Sequence, residues 1–293
     1  MLRSAAGYRS ALLLVLTLVG ITFASFARGS CAYAQTAVPT SPLAGVQSNG
    51  QSAAQPVAGE NATGTPLQHL AMPFGVGERM DYDVRFWNGD RGDASMEVKE
   101  VVDVRGKPAW HTVFAVKARM LGFFSVNIKL ESWFDVITMN SLRFFQDQQY
   151  TGSKGKIQHI EIFPERGMYK EDALEERVAT ANPLDDGSFL YFVRSVPLEV
   201  GKEYTWSRYY KPDKNPVKIV VVRRETITTK AGTFNTLVLR PEIKSGGLFA
   251  EGKAEAWVTD DSARMVVKLE SDVGPGTLSL QLKSFHLGAP VKP

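Results

Sequence analysis

The chain has 293 residues, with 44% apolar, 22% charged and 10% aromatic side chains, the balance of a globular protein and not of a disordered or collagen-like one. One cysteine excludes a disulfide framework and a cysteine-built zinc or iron–sulfur centre, and four scattered histidines argue against a histidine-built one, so no metal site and no cofactor are expected. The formal charge of +3 and the pI of about 8.8 would suit an anionic partner, but the position of three arginines removes that inference.

Those arginines are Arg3, Arg9 and Arg28, all within the first 34 residues. Arg3 and Arg9 precede an apolar run over 11–24 that is short for a membrane span and soon followed by small residues, which predicts a secretory signal peptide over residues 1–34. Ser25-Phe26-Ala27 and Ala32-Tyr33-Ala34 both offer small residues to a signal peptidase, and cleavage after Ala34 is expected. A lipid anchor on Cys31 would need an aliphatic residue three positions upstream, where Arg28 stands; a retained signal anchor is the other alternative. With the leader removed, the 34 Lys+Arg lose three and balance the 31 Asp+Glu, and no thiol remains. A periplasmic or secreted location follows, with no transmembrane segment after cleavage and no nucleic-acid partner.

Residues 35–73 are rich in Ala, Gln, Ser, Thr, Pro and Gly, with Glu60 as the one formal charge, and are expected to form a flexible low-complexity linker. Asn61-Ala62-Thr63 is a glycosylation sequon, too short a pattern to carry weight.

From Phe74 the pattern changes. Tyr82, Val84 and Phe86 alternate with Asp81, Asp83 and Arg85, which predicts a half-buried strand. The alternation recurs over 96–99, 126–131 and 278–283, and strand-like runs cover 112–119, 142–150, 157–163, 204–209, 217–228, 233–241, 255–259 and 264–272. Turn clusters separate them: Asn88-Gly89-Asp90, Arg105-Gly106-Lys107-Pro108, Ser153-Lys154-Gly155, Ala231-Gly232, Ser245-Gly246-Gly247 and Gly274-Pro275-Gly276. One segment departs from the rhythm. Asp185-Asp186-Gly187-Ser188 supplies cap-type residues, and Phe189, Phe192, Val193 and Val196 follow at helical spacing, so a short helix packs on the sheet or plugs one end of it.

Residues 74–287 are therefore expected to be all-β with one short helix, an antiparallel meander closing into a barrel, half-barrel or curved two-layer sandwich, because so long a sheet must hide its edges. Residues 288–293 are expected to form a disordered tail. The run Phe74-Gly75-Val76-Gly77-Glu78 into Tyr82-Asp83-Val84, the 186–194 helix with Pro197-Leu198 and Gly201, the Ala231-Gly232-Thr233-Phe234 turn, and Trp257-Val258-Thr259-Asp260-Asp261 with Arg264 together resemble the bacterial exported DUF3108 family. The resemblance spans nearly the whole folded region. It implies a periplasmic or secreted β-domain and carries no catalytic residues with it. The long linker and the polar stretch over 211–215 depart from it.

Catalytic constellations are absent. Asp185-Asp186 and Asp260-Asp261 could supply paired carboxylates, but consecutive side chains point to opposite sides of an extended chain, and caps or turns explain them better. His69, His111, His159 and His286 show no ligand spacing. There is no Gly-x-Ser-x-Gly elbow, and Gly152-Ser153-Lys154-Gly155-Lys156 has a phosphate loop's composition without its full spacing or a following helix. An outer-membrane barrel is disfavoured by Lys and Glu on strand faces and by the Gly-Ala-Pro-Val-Lys-Pro ending.

The aromatic residues carry the functional expectation. Trp87, Trp110, Trp133, Trp206 and Trp257 lie in or beside strands, and the doublets Phe123-Phe124 and Phe144-Phe145 place one ring on each face. Rings beyond those a core needs must be covered or must meet a partner. The expected role is a non-catalytic binding or carrier function in the cell envelope for an apolar or amphipathic, lipid-like molecule. Its candidate contacts are Trp87, Phe124, Trp133, Phe145, Phe192, Trp206, Tyr209 and Trp257. A structural module presenting Trp206, Tyr209 or Tyr210 to an envelope protein or glycan is the second expectation, and a carboxylate-dependent hydrolase of an envelope polymer the third.

Overall fold

The computed structural model describes residues 72–86, 89–120, 124–152, 154–242, 254–272 and 277–289. The expected signal peptide, the linker up to residue 71 and the turns over 245–247 and 274–276 lie outside the described residues.

The strands are β1 (Arg79–Phe86), β2 (Gly89–Val104), β3 (Lys107–Met120), β4 (Phe124–Asp135), β5 (Ser141–Tyr150), β6 (Lys156–Phe163), β7 (Met168–Glu171), β8 (Arg177–Val178), β9 (Glu203–Trp206), β10 (Val217–Thr229), β11 (Gly232–Glu242), β12 (Ala254–Thr259), β13 (Val266–Asp272) and β14 (Thr277–His286). Among the described residues one helix, α1 (Asp186–Ser195), stands between β8 and β9, and one 3-10 turn covers Pro212–Lys214. All strands join one antiparallel sheet in the order β8-β7-β6-β5-β4-β3-β2-β1-β14-β13-β12-β11-β10-β9. Neighbours in the sheet are neighbours in sequence except where β1 pairs with β14. The edges are therefore β8 and β9, and the chain that joins them contains the helix.

Laid flat, a sheet of this many strands would hold its edges about 60 Å apart at roughly 4.8 Å per step. The chain just beyond each edge nevertheless meets the other. Leu184 forms a parallel bridge with Tyr209, the Tyr210 N–H donates to the Leu184 carbonyl at 2.9 Å, and the Thr180 N–H donates to the Tyr210 carbonyl at 3.1 Å. The sheet is curled until its ends touch, but no ladder closes it. This is the meander expected from the sequence, in a form between barrel and half-barrel. Register shifts at Asp81/Tyr82, Val98/Glu100, Trp133/Phe134, Val221/Arg223 and Trp257/Val258 supply local bends of the kind that bulges give a curving sheet.

The core lies on the inner face. Met80, Tyr82, Val84 and Phe86 of β1 are almost completely buried and share one apolar cluster with Ile160 of β6, Ile219 of β10, Leu237 of β11 and Leu282 of β14. Each such side chain contributes on the order of 1.5–3 kcal/mol by leaving water. The Tyr82 hydroxyl donates to the Val266 carbonyl at 2.9 Å, a buried tie between β1 and β13 across the intervening β14. Two strands have no counterpart in the sequence pattern, β7 and β8, because four and two residues are too short to show a period. The run over 204–209 ends as a strand at Trp206, since Arg208, Tyr209 and Tyr210 turn away to meet Leu184.

The helix begins where its cap dictates. Asp185 is extended, its Oδ1 accepts the N–H groups of Gly187 at 2.8 Å and Ser188 at 2.9 Å, and the Ser188 hydroxyl accepts the Asp185 N–H at 2.9 Å. Asp186 in the first turn and Arg194 in the last complement the helix dipole, and Pro197 follows the extended C-cap Val196. Gly187 lets the first turn press on β4: a Cβ there would lie 2.3 Å from the Ser132 Oγ and 3.2 Å from its Cβ. Gly187→Ala should destabilise the protein by about 1–3 kcal/mol through overpacking, seen as a lower urea midpoint with an unchanged slope.

Candidate binding site

The residues that carry the family resemblance converge on a structural knot. The Arg194 guanidinium, fully buried, forks onto the Glu78 carboxylate at 2.7 and 2.8 Å. It also donates to the carbonyls of Pro73 at 3.2 Å, Ala263 at 3.0 Å and Arg264 at 2.9 Å. Asp261 shapes the loop that presents the last two, its Oδ1 accepting the N–H groups of Ala263 and Arg264 and the Thr259 hydroxyl. Gly77, at φ +84, makes the turn that brings Glu78 inward. The helix end, the leading segment and the β12–β13 loop are thus fastened together by one side chain.

The acidic pairs resolve in the same way. Asp185 is a helix cap and Asp261 a turn former, while Asp260 pairs with Arg224 at 2.7 Å. Gly152 and Lys156 flank the β5–β6 connection, with no helix after it. Among the described residues no group of three His, Cys, Asp or Glu side chains could hold a metal ion, and no helix is long and apolar enough to cross a membrane.

The aromatic candidates divide by strand parity. Trp133, Phe145 and Trp257 were expected to face a ligand but stand on the outer face, opposite the inward Phe134, Phe144 and Val258. Trp133 stacks on His111 at 4.4 Å beneath the Arg143 guanidinium, and Phe145 meets His159 at 4.8 Å. Trp257 lies under the Lys268 ammonium at 4.2 Å and donates its indole N–H to Glu225 at 3.2 Å. The His111 ring bonds Glu131 at 2.8 Å and Glu100 at 3.2 Å; although desolvation pushes the other way, hydrogen bonds from Lys129 and His111 hold Glu131 below the usual carboxylate range. Phe192 and Trp206 pack edge to face at 5.3 Å, so they seal the helix against β9. Tyr209 and Tyr210 are buried and offer no exposed stacking surface to a glycan, while Trp206, the third ring of the interaction-module expectation, keeps part of its surface accessible. Trp87 lies outside the described residues, as does the side chain of Phe124 at the start of β4.

The inner face of β3 to β6 holds what residue type alone did not reveal. Cross-strand register aligns Met96, Phe114, Leu130, Gln146 and Gln158 in one inward row, and Ala94, Val116, Ile128, Gln148 and Lys156 in the next. Phe114, Leu130, Gln158 and Lys156 point inward yet keep part of their surface accessible, and Asp186 at the helix start is exposed. The Asp186 carboxyl is nonetheless raised above the ordinary range, with burial by surrounding protein as the leading cause. This stretch of the inner face has an apolar wall, Phe114 and Leu130, and a polar one. Along the polar wall the Tyr150 hydroxyl donates to Gln148 at 3.5 Å, the Gln148 amide to Gln146 at 3.1 Å, and the Gln146 amide to Gln158. Tyr209, the one predicted contact among the described residues that reaches this region, donates its hydroxyl to Asp186 at 3.3 Å. Burial, together with the nearby Lys211 ammonium, pulls Lys156 below the ordinary lysine range.

A signal for this wall was present in the sequence. Gln146 and Gln148 continue the parity of Phe144 and Tyr150, so they place amides where alternation calls for apolar groups.

Comparison with solved structures finds a beta-barrel-like protein of domain of unknown function DUF1849 from Brucella abortus, at 10% identity and a TM-score of 0.48, covering 74% of this chain and 99% of that one. A lipoprotein candidate from Parabacteroides distasonis matches at 12% identity and a TM-score of 0.32, over 75% of this chain and all of the other. No curated protein matches the sequence. The model of the family described as Protein of unknown function (DUF3108) matches residues 81–283, and the chain belongs to that family.

Proposed function

We propose that this is an exported cell-envelope protein that binds or carries an amphipathic, lipid-like molecule in a hollow between the curled sheet and the start of α1, without catalysing a reaction. The observation that supports this reading is the pairing of walls: partly accessible Phe114 and Leu130 beside a hydrogen-bonded glutamine ladder, on a face where a filled interior would be apolar throughout. An apolar chain would lie along the first wall and a polar end would meet the second. Asp185, Asp260 and Asp261 serve as cap, surface ion pair and turn, which leaves Asp186 without a facing carboxylate from either pair and favours a carrier over the hydrolytic alternative.

Native mass spectrometry of the full chain purified from an envelope extract tests the proposal. Bound species of lipid-like mass are expected on the wild type, and Leu130→Trp, which fills the hollow from its apolar side, should reduce their occupancy several-fold. Repeated recovery of the wild type without adducts overturns the carrier reading.

A further inference from the structure

Hydrogen-bond direction gives the polar wall a polarity of its own. Each member of the ladder passes a donor to the next, from the Tyr150 hydroxyl through Gln148 and Gln146 to the Gln158 carbonyl oxygen, so the chain of bonds ends on the Gln158 amide nitrogen. Among the described residues that nitrogen donates to no protein acceptor. Two positions earlier on the same inward face of β6 stands Lys156, whose ammonium likewise has no carboxylate within ion-pair distance among the described residues. Strand geometry sets the two about 7 Å apart along the backbone, close enough for flexible side chains to converge on one group.

The neighbouring charges do not satisfy this surplus of donors. The carboxylates nearest in effect are Glu171, which is paired with Lys211, and Asp186, which accepts the Tyr209 hydroxyl. Lys211 opposes the charge on Lys156, and Glu171, Asp186 and Asp172 support it from a distance. A half-buried cation held this way has paid part of its desolvation cost without an ion pair in return, and an oxyanion supplied from outside would complete the set.

We propose that the polar wall is a headgroup site that binds an oxyanion, a phosphate- or carboxylate-type group, between the Lys156 ammonium and the Gln158 amide. The inference rests on the carrier reading, since it assigns the polar end of the molecule proposed for the hollow.

Isothermal titration of the full chain with octyl phosphate, octanol and inorganic phosphate separates the two. Octyl phosphate should bind at least tenfold more tightly than octanol, and Lys156→Gln and Gln158→Leu should each bring that ratio close to one. Equal binding of octyl phosphate and octanol by the wild type, or a ratio that survives both substitutions, overturns the headgroup site and leaves the carrier reading standing. Inorganic phosphate binding as tightly as octyl phosphate supports the oxyanion site and overturns the lipid-like occupant. Binding of none of the three overturns the carrier reading and the headgroup site with it.

Discussion

Replacing Arg194 by methionine should destabilise the protein by about 3–5 kcal/mol, the range expected when one partner of a buried ion pair is removed and the other is left uncompensated. The Glu78 carboxylate would keep its burial and lose both charge-assisted bonds. The carbonyls of Pro73, Ala263 and Arg264 would lose a donor at the same time. Arg194→Lys should recover little, because one ammonium cannot reproduce a fork that reaches five acceptors. A double variant, Glu78→Met with Arg194→Met, decides which part of the knot matters. If the ion pair alone were at stake, two packed apolar side chains could restore much of the loss. Three unsatisfied carbonyls, at roughly 1–3 kcal/mol each where they stay buried, should keep the double variant well below wild type. Urea unfolding of the four proteins measures this, and a double variant as stable as wild type would show that the carbonyl contacts contribute nothing.

That knot also explains why the family resemblance could be seen in order but not as a compact motif. Glu78, Arg194 and Arg264 stand far apart in sequence and touch only after the sheet has curled, so no local spacing announces them. Local rules were legible where a local cause acts alone. The alternation of Tyr82, Val84 and Phe86 gave β1, and Asp185 with Ser188 gave the start of α1. The seam between Leu184 and Tyr209 was not legible, since it depends on how far a long sheet bends. For the candidate site, ring identity misled where parity informed. Trp257 sits between Ala256 and Val258, both in the inner cluster, so alternation alone places the indole outside. Trp133 precedes the inward Phe134, although a register shift follows it, and lies outside for the same reason. The hollow's polar wall is made of glutamine and lysine, residue types that composition treats as surface, and only their parity with Phe144 and Ile160 marks them as inward.

Stability should rise as pH falls from about 7 towards 4 in the part due to Asp185. Its side chain is fully buried; Oδ1 accepts the Ser132 hydroxyl and the N–H groups of Gly187 and Ser188, while Oδ2 is buried with no hydrogen-bond partner. Desolvation raises its pKa from the usual 3.8 to about 6, against the opposing pull of the Ser132 bond and the cap N–H, with Asp186 adding to the rise. The folded state therefore holds the proton more strongly than the unfolded chain. Above about pH 6 the carboxylate is ionised in both states and folding carries the full cost of a buried charge. That cost shrinks as pH drops through the window and is gone below the unfolded value. Roughly two pH units of separation correspond to about 3 kcal/mol. The total stability need not follow, because carboxylates held below the usual range, such as Glu131 and Glu255, lose stability on acidification. Asp185→Asn isolates the effect. Asparagine keeps the cap acceptor and cannot ionise. The stability of this variant relative to wild type should be higher at pH 7 than at pH 4, by up to about 3 kcal/mol. A relative stability that stays flat across that window would mean that Asp185 titrates as an ordinary carboxylate and that Oδ2 is solvated in the folded protein. Asp185→Ala should lose about 0.5–2 kcal/mol through the missing cap at every pH, which separates the structural part of the residue's role from its charge.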